Sequence, residues 1–130
     1  MKIKSITIFI ALTFSVMFSS SSYAEWTDVG MDMKGNIAYV DFERIRKNDG
    51  YVYFWQLSDY LEPISVGYLS AKFYIQGDCK LFRFKGLSVS FHKKPMGGGT
   101  GDTINEPDKE WYYPSPNAVD EEVLKQVCNR

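Results

Sequence analysis

Along the middle of the chain, side chains alternate with a period of two, and that rhythm limits what the chain can fold into. Tyr51, Tyr53, Trp55 and Leu57 interleave with Val52, Phe54 and Gln56, and Ile37, Tyr39 and Asp41 with Ala38, Val40 and Phe42. Leu87, Val89 and Phe91 alternate with Ser88, Ser90 and His92, giving one apolar and one wet face. Aromatic and β-branched residues dominate these runs, which predicts antiparallel strands. Turn chemistry separates them at Lys34-Gly35-Asn36, Asn48-Asp49-Gly50 and Glu62-Pro63.

Between 70 and 92 the rhythm breaks. Phe73, Ile75, Cys79 and Leu81 share one parity with Leu87, Val89 and Phe91, whereas Phe82 and Phe84 have the other. A turn near Lys80–Phe82 that splits the region into two paired strands is the preferred resolution, with a bulge at Gly86 as the alternative. From Lys93 to Lys109 the sequence is polar and glycine-rich. It lacks the Lys-Ser/Thr that completes a phosphate-cradling loop, so it reads as a long hairpin connection with a short edge strand near Asp102–Asn105.

At the C-terminus the period changes to that of a helix. Val119, Val123, Leu124, Val127 and Cys128 fall on one side, with Glu121, Glu122, Lys125 and Gln126 spread outward. Asp120 lies within the apolar arc and therefore belongs at the helix start. Ser115, Asn117 or Asp120 could each supply the N-cap.

The N-terminus constrains the compartment. Lys2 and Lys4 precede an apolar run from Ile6 to Phe18, and Ser22-Tyr23-Ala24 places small residues where a signal peptidase reads. This is the layout of a secretory signal peptide cut after Ala24, and the apolar run is too short for a span of roughly 20 residues. Removing residues 1–24 of the 130 leaves 106, a single domain over 25–130. In an oxidising compartment Cys79 and Cys128 are expected to form one disulfide. The closed loop of about 50 residues is worth on the order of 4 kcal/mol in the chain-entropy model. Because Cys128 lies on the apolar side of its helix, the bond would pin that helix to the sheet face carrying Phe73, Ile75 and Leu81.

Charge narrows the partners. Lys2 and Lys4 leave with the signal, so 15 basic residues become 13 against 16 acidic, a net charge of −3. Nucleic-acid binding is not expected of such a balance. No cysteine follows the export segment to accept lipid and no second apolar stretch could anchor the product, so a soluble, exported protein is expected, periplasmic or secreted. Catalytic chemistry is sparse. His92, the sole histidine, alternates to the solvent-facing side of its strand, no G-x-S-x-G elbow is present, and no C-x-x-C or histidine cluster suggests a metal. Asp41, Asp59 and Asp78 stand at strand or turn boundaries, where carboxylates cap backbone donors. No catalytic residue, metal or cofactor is therefore assigned. Trp26, Trp55 and Trp111 are expected in the core, whereas Tyr112 and Tyr113, beside a polar loop, suit an exposed patch.

An ordered set of residues resembles the surface-adhesin protein E family. It runs Trp26, Tyr39-Val40-Asp41, Arg44-Ile45-Arg46, Trp55-Gln56-Leu57-Ser58-Asp59-Tyr60, Ser70, Lys72, Asp78-Cys79 and Arg83. It continues through Pro95-Met96-Gly97-Gly98-Gly99, Trp111, Pro114 and Cys128. The resemblance implies an α+β fold: an antiparallel sheet of about six strands with a C-terminal helix tied to it by a disulfide. It also implies a binding module, since the adhesin that names the family is lipid-anchored and contacts host matrix proteins such as laminin and vitronectin. This chain departs in lacking the lipid-acceptor cysteine, and its Lys80-Leu81-Phe82 turn lacks the glycine often found there. The host-binding segments are outside the shared pattern, so no ligand-contacting residue carries over. The expectation is an exported, non-catalytic module with a protein partner, either a host matrix component or, as the alternative, an envelope component bound in the periplasm without adhesion.

Overall fold

In the computed structural model, which describes residues 24–130, the chain breaks where its turn chemistry says it should. Strands β1 (Thr27–Met31) and β2 (Ile37–Val40) are joined by a turn in which Asp32 Oδ1 accepts from the amides of Lys34 and Asn36, both at 2.9 Å. Strand β3 (Arg46–Asn48) meets β4 (Tyr51–Ile64) through Asp49 and Gly50, both at positive φ, the two-residue geometry that matches strand twist. Then come β5 (Tyr68–Asp78), β6 (Arg83–His92), the two-residue β7 (Thr103–Ile104) and helix α1 (Val119–Cys128). All strand pairings are antiparallel, in the order β1-β2-β4-β5-β6-β7, with β3 also on β4. The sheet thus has seven strands against an expectation of about six, and the expected edge strand near Asp102–Asn105 is β7.

One face of the sheet carries α1. Val40, Phe54, Leu124 and Val127 are each no more than 1% exposed, and Ala38, Val52, Ile75 and Val123 complete the cluster. Close approach is possible because β5 has glycine where the helix crosses: a Cβ on Gly77 would lie 2.9 Å from Val52 Cγ2 and 3.0 Å from Leu124 Cδ1. Cys79 bonds Cys128 across a Cα–Cα distance of 5.7 Å, tying helix to sheet as expected. The chain end adds two contacts: Lys47 Nζ donates to the Arg130 carbonyl, and the Arg130 guanidinium lies 4.1 Å from the Phe42 ring centre. Among the described residues no helix is long and apolar enough to cross a membrane. The signal segment, apart from Ala24, lies outside the described residues.

Four expectations need correction. The turn at 79–82 exists, but the parity conflict is resolved by a bulge: β6 pairs Gly86 with Ile75 and then Ser88 with Tyr74, so Leu87 is extra. Phe84 and Val89, of opposite parity, therefore face the same side. Leu81 lies in the turn, 54% exposed, and not on the helix-bearing face. The N-cap of α1 is Ala118, with no side-chain cap; the Asn117 amide instead donates to Glu121 Oε1 at 3.0 Å. Asp120 does sit in the first turn, as its place in the apolar arc required. Finally, Trp26, Trp55 and Trp111 are half-buried rather than core, because they belong to the sheet's second face, which no helix covers.

Candidate binding face

Strand register sets the second face in rows. Arg46, Tyr53, Gln76 and Lys85 are successive partners across β3, β4, β5 and β6. Trp55, Tyr74 and Ser88 make the next row, and Tyr39, Leu57, Lys72, Ser90 and Thr103 the one after. Period two brings these side chains to one side, opposite the helix. Their rings pack against each other: Trp55 and Tyr74 centroids are 4.8 Å apart, and Tyr53 and Tyr74 are 6.3 Å apart. Toward one end Tyr51 stacks on Trp111 at 5.8 Å, and Trp111 in turn receives the Arg83 guanidinium at 4.3 Å and the Lys85 ammonium at 4.5 Å.

Three carboxylates on this side, Asp78, Asp41 and Asp59, are spent on structure. Asp78, 5% exposed, accepts from the amides of Lys80 and Leu81 at 3.2 and 3.1 Å and pairs with Arg83 Nε at 2.9 Å. Burial opposes its ionisation, but Arg83 and the two amides prevail and hold the carboxyl below 3.8. Asp41, 1% exposed, closes β2. Its amide donates to the Trp55 carbonyl at 3.2 Å, its Oδ1 accepts from the Glu43 amide at 3.2 Å, and its Oδ2 lies 3.4 Å from Arg44 Nε. Asp59 Oδ1 accepts from the Met96 amide at 2.8 Å. All three cap backbone donors, as the sequence reading expected, but the donor that Asp59 caps is 37 residues away.

That segment is a strap. After β6 the chain turns through Pro95–Gly97 and lies over Leu57, which is fully buried without helix cover. Ser70 Oγ donates to the Lys94 carbonyl at 2.6 Å and accepts from the Gly97 amide at 2.8 Å. His92 Nδ1 faces the Gly99 carbonyl at 3.3 Å and Nε2 the Ser90 hydroxyl at 2.8 Å. A carbonyl can only accept, so Nδ1 carries a proton. His92 is therefore 9% exposed rather than solvent-facing, a correction whose cause is the strap. Its Nδ1 is oriented by a backbone carbonyl and not by an acid. Gly101 completes the strap where no side chain fits: its Cβ would lie 1.2 Å from the Phe91 carbonyl oxygen.

Strap and sheet enclose an open cleft of about 760 Å³ whose walls include Trp26, Trp55, Lys72, Ser90 and Met96. Asp41 and Arg44 stand at its rim and continue into a neighbouring hollow with Glu43. Such a surface offers flat rings, hydroxyls and cations. Among the described residues no group of three or more His, Cys, Asp or Glu is placed to hold a metal. Cleft residues Ser88 and Met96 had a sequence signal, the wet parity of β6 and the Pro95-Met96-Gly97 motif. Neither revealed that they share a wall.

The sequence of residues 26–129 matches the family described as surface-adhesin protein E. The chain belongs to that family. Among solved structures, crystal form II of Haemophilus influenzae protein E is similar at TM-score 0.63 and 14% identity, covering 84% of this chain and 91% of that one. A selenomethionine form of the same Haemophilus influenzae protein gives TM-score 0.61 and 16% identity, covering 85% and 92%. At such identities the likeness is one of fold. A search of curated proteins finds no significant match. The motif residues meet in the structure: Asp59, Ser70 and the Pro95–Gly99 run build the strap, and Asp41, Trp55 and Lys72 line the cleft.

Proposed function

We propose that this chain is an exported, non-enzymatic adhesin-like module, cut after Ala24, that holds a host matrix component on the aromatic face opposite α1. The observation that supports this most is the division of labour between the two faces. One is closed by the helix, while the other keeps Trp55, Tyr74 and Tyr53 in two adjacent open rows beside Lys72 and Arg46. Large amphipathic rings and arginine are what protein recognition sites are enriched in. Membership in the surface-adhesin family gives the reading its direction.

Immobilised matrix proteins provide the test. Trp55→Ala, which removes a ring from the open face, should weaken capture at least tenfold, whereas Lys125→Gln on the outer side of the helix should leave it unchanged. Equal capture by both variants overturns the assignment of the face. Protease shaving of intact cells tests the location. Full protection, with recovery only from the periplasm, defeats adhesion and leaves an envelope partner as the reading.

A further inference from the structure

We infer that the occupant of the open face is a sparsely charged acidic polysaccharide, an inference that rests on the binding role proposed above for that face. The first observation is the spacing of the cations. Arg46 and Lys85 end one row and are three strands apart, about 14 Å at the usual strand separation. Lys72 is four residues along β5 from that row, about 13 Å at the rise of a strand. No small anion spans such a triangle, so only an extended polyanion engages all three. Among the described residues neither Arg46 nor Lys72 is paired with a carboxylate, and Asp41, Asp59 and Asp78 are occupied as described above. Glu25 and Glu43, in the hollow beside the cleft, are exposed acids, as is Asp28 at the β1 end of the Tyr39 row, away from Arg46 and Lys85.

Spacing also separates the polyanions. A nucleic acid carries a phosphate about every 3.4 Å of each strand, far denser than cations set about 14 to 16 Å apart. An acidic peptide must also satisfy its own amides and carbonyls. On this face the main chain is committed to ladder hydrogen bonds, so a peptide backbone could pair only with the few polar side chains and not along its length. What lies between the cations is of another kind. The Ser88, Ser90 and Thr103 hydroxyls and the Asn105 amide line the cleft, and Trp55 and Trp26 present ring surface beside them. Hydroxyls and an amide pair with sugar hydroxyls, and indole faces pack on the C–H faces of pyranose rings. Acidic groups on alternate sugars then reach Lys72, Arg46 and Lys85 in turn.

Titration of the purified protein with a hyaluronate octasaccharide, one carboxylate per disaccharide, followed by tryptophan fluorescence and by amide chemical shifts, tests this. The expected result is saturable quenching with shifts concentrated on Trp55, Lys72 and Tyr74. Arg46→Gln with Lys85→Gln should weaken it at least tenfold, as should Trp55→Ala alone, with thermal melting unchanged to exclude misfolding. A dextran octamer should produce neither effect. Absence of saturable binding overturns the inference, and so does equal affinity for poly-glutamate or a single-stranded oligonucleotide. Capture of a matrix protein stripped of its glycans, still abolished by Trp55→Ala, sinks the polysaccharide and leaves the binding role of the face intact; loss of all capture by both probes sinks both.

Discussion

Asp120 carries a charge where the fold does not want one. One of its oxygens is buried without a hydrogen-bond partner, and burial raises its carboxyl above 3.8. A carboxyl raised in the folded state contributes its stability fully below 3.8 and loses it as pH climbs through the folded value. Asp78 has the opposite sign: its lowered carboxyl stabilises the fold above 3.8, and that contribution is lost as acid brings the pH down through the folded value. Asp120→Asn, which removes the charge and keeps the shape, should therefore stabilise the protein at pH 7. The gain should be about 1 kcal/mol at most, because only the charge is removed and solvent screens a partly exposed carboxylate. The lost interaction with the helix dipole, about 0.3–1 kcal/mol, works against it. Thermal melts from pH 7 down to 3 check this, with the advantage shrinking as the wild-type carboxyl protonates. Gly77→Ala should act oppositely. Its added methyl meets Val52 and Leu124 at 2.9 and 3.0 Å, and overpacking of this kind costs about 1–3 kcal/mol, readable as a lower denaturant midpoint with unchanged slope.

At the scale of elements, the strap behaves as a separate small unit. Its Met96 and Gly97 amides depend on two side chains from the sheet, Asp59 and Ser70, and both residues of the turn are at positive φ. Asp59→Ala or Ser70→Ala removes one acceptor, worth about 0.5–1.5 kcal/mol. The Met96 amide in the first variant, or the Gly97 amide in the second, should exchange with solvent several-fold to tenfold faster, while amides of β4 and β5 stay protected. Equal acceleration throughout the sheet would show that the strap is not separable. What the sequence made legible here follows the range of the forces involved. Period two, the Asn48-Asp49-Gly50 turn and the apolar stripe of α1 are local, and all could be read from neighbours in the chain. The buried state of His92 was not, because it depends on a loop returning across β4 and β5, and serine-histidine alternation alone looks the same whether wet or covered. The Gly86–Leu87 bulge lay between. Parity showed that something had to give, and only pairing with Ile75 and Tyr74 showed where. The tryptophans were misplaced for a related reason, since a large ring fits a core and an open face equally well by composition.

The whole molecule is a single sheet with unequal faces, and that asymmetry governs its stability. The core is one cluster against one short helix, and a domain of this size has a total of roughly 5–15 kcal/mol to lose. Helix α1 has ten residues, too few to persist in water without packing. Its C-terminal end is held by Cys79–Cys128, by Lys47 at the Arg130 carbonyl and by Arg130 over Phe42. Replacing both cysteines by serine removes the covalent tie from residues 49 apart, and about 2–5 kcal/mol should go with it. Guanidinium unfolding of both proteins measures the loss, and amide exchange shows how it is distributed. Helix amides and those of β1, which α1 touches, should lose protection first. Met96 and Gly97 lie across the sheet and are held by Asp59 and Ser70, so their protection should fall only as far as global stability falls. A variant that melts the strap before the helix would contradict this division. It would mean that the open face depends on the closed one through the sheet itself, and that ligand on one side and disulfide on the other are energetically coupled.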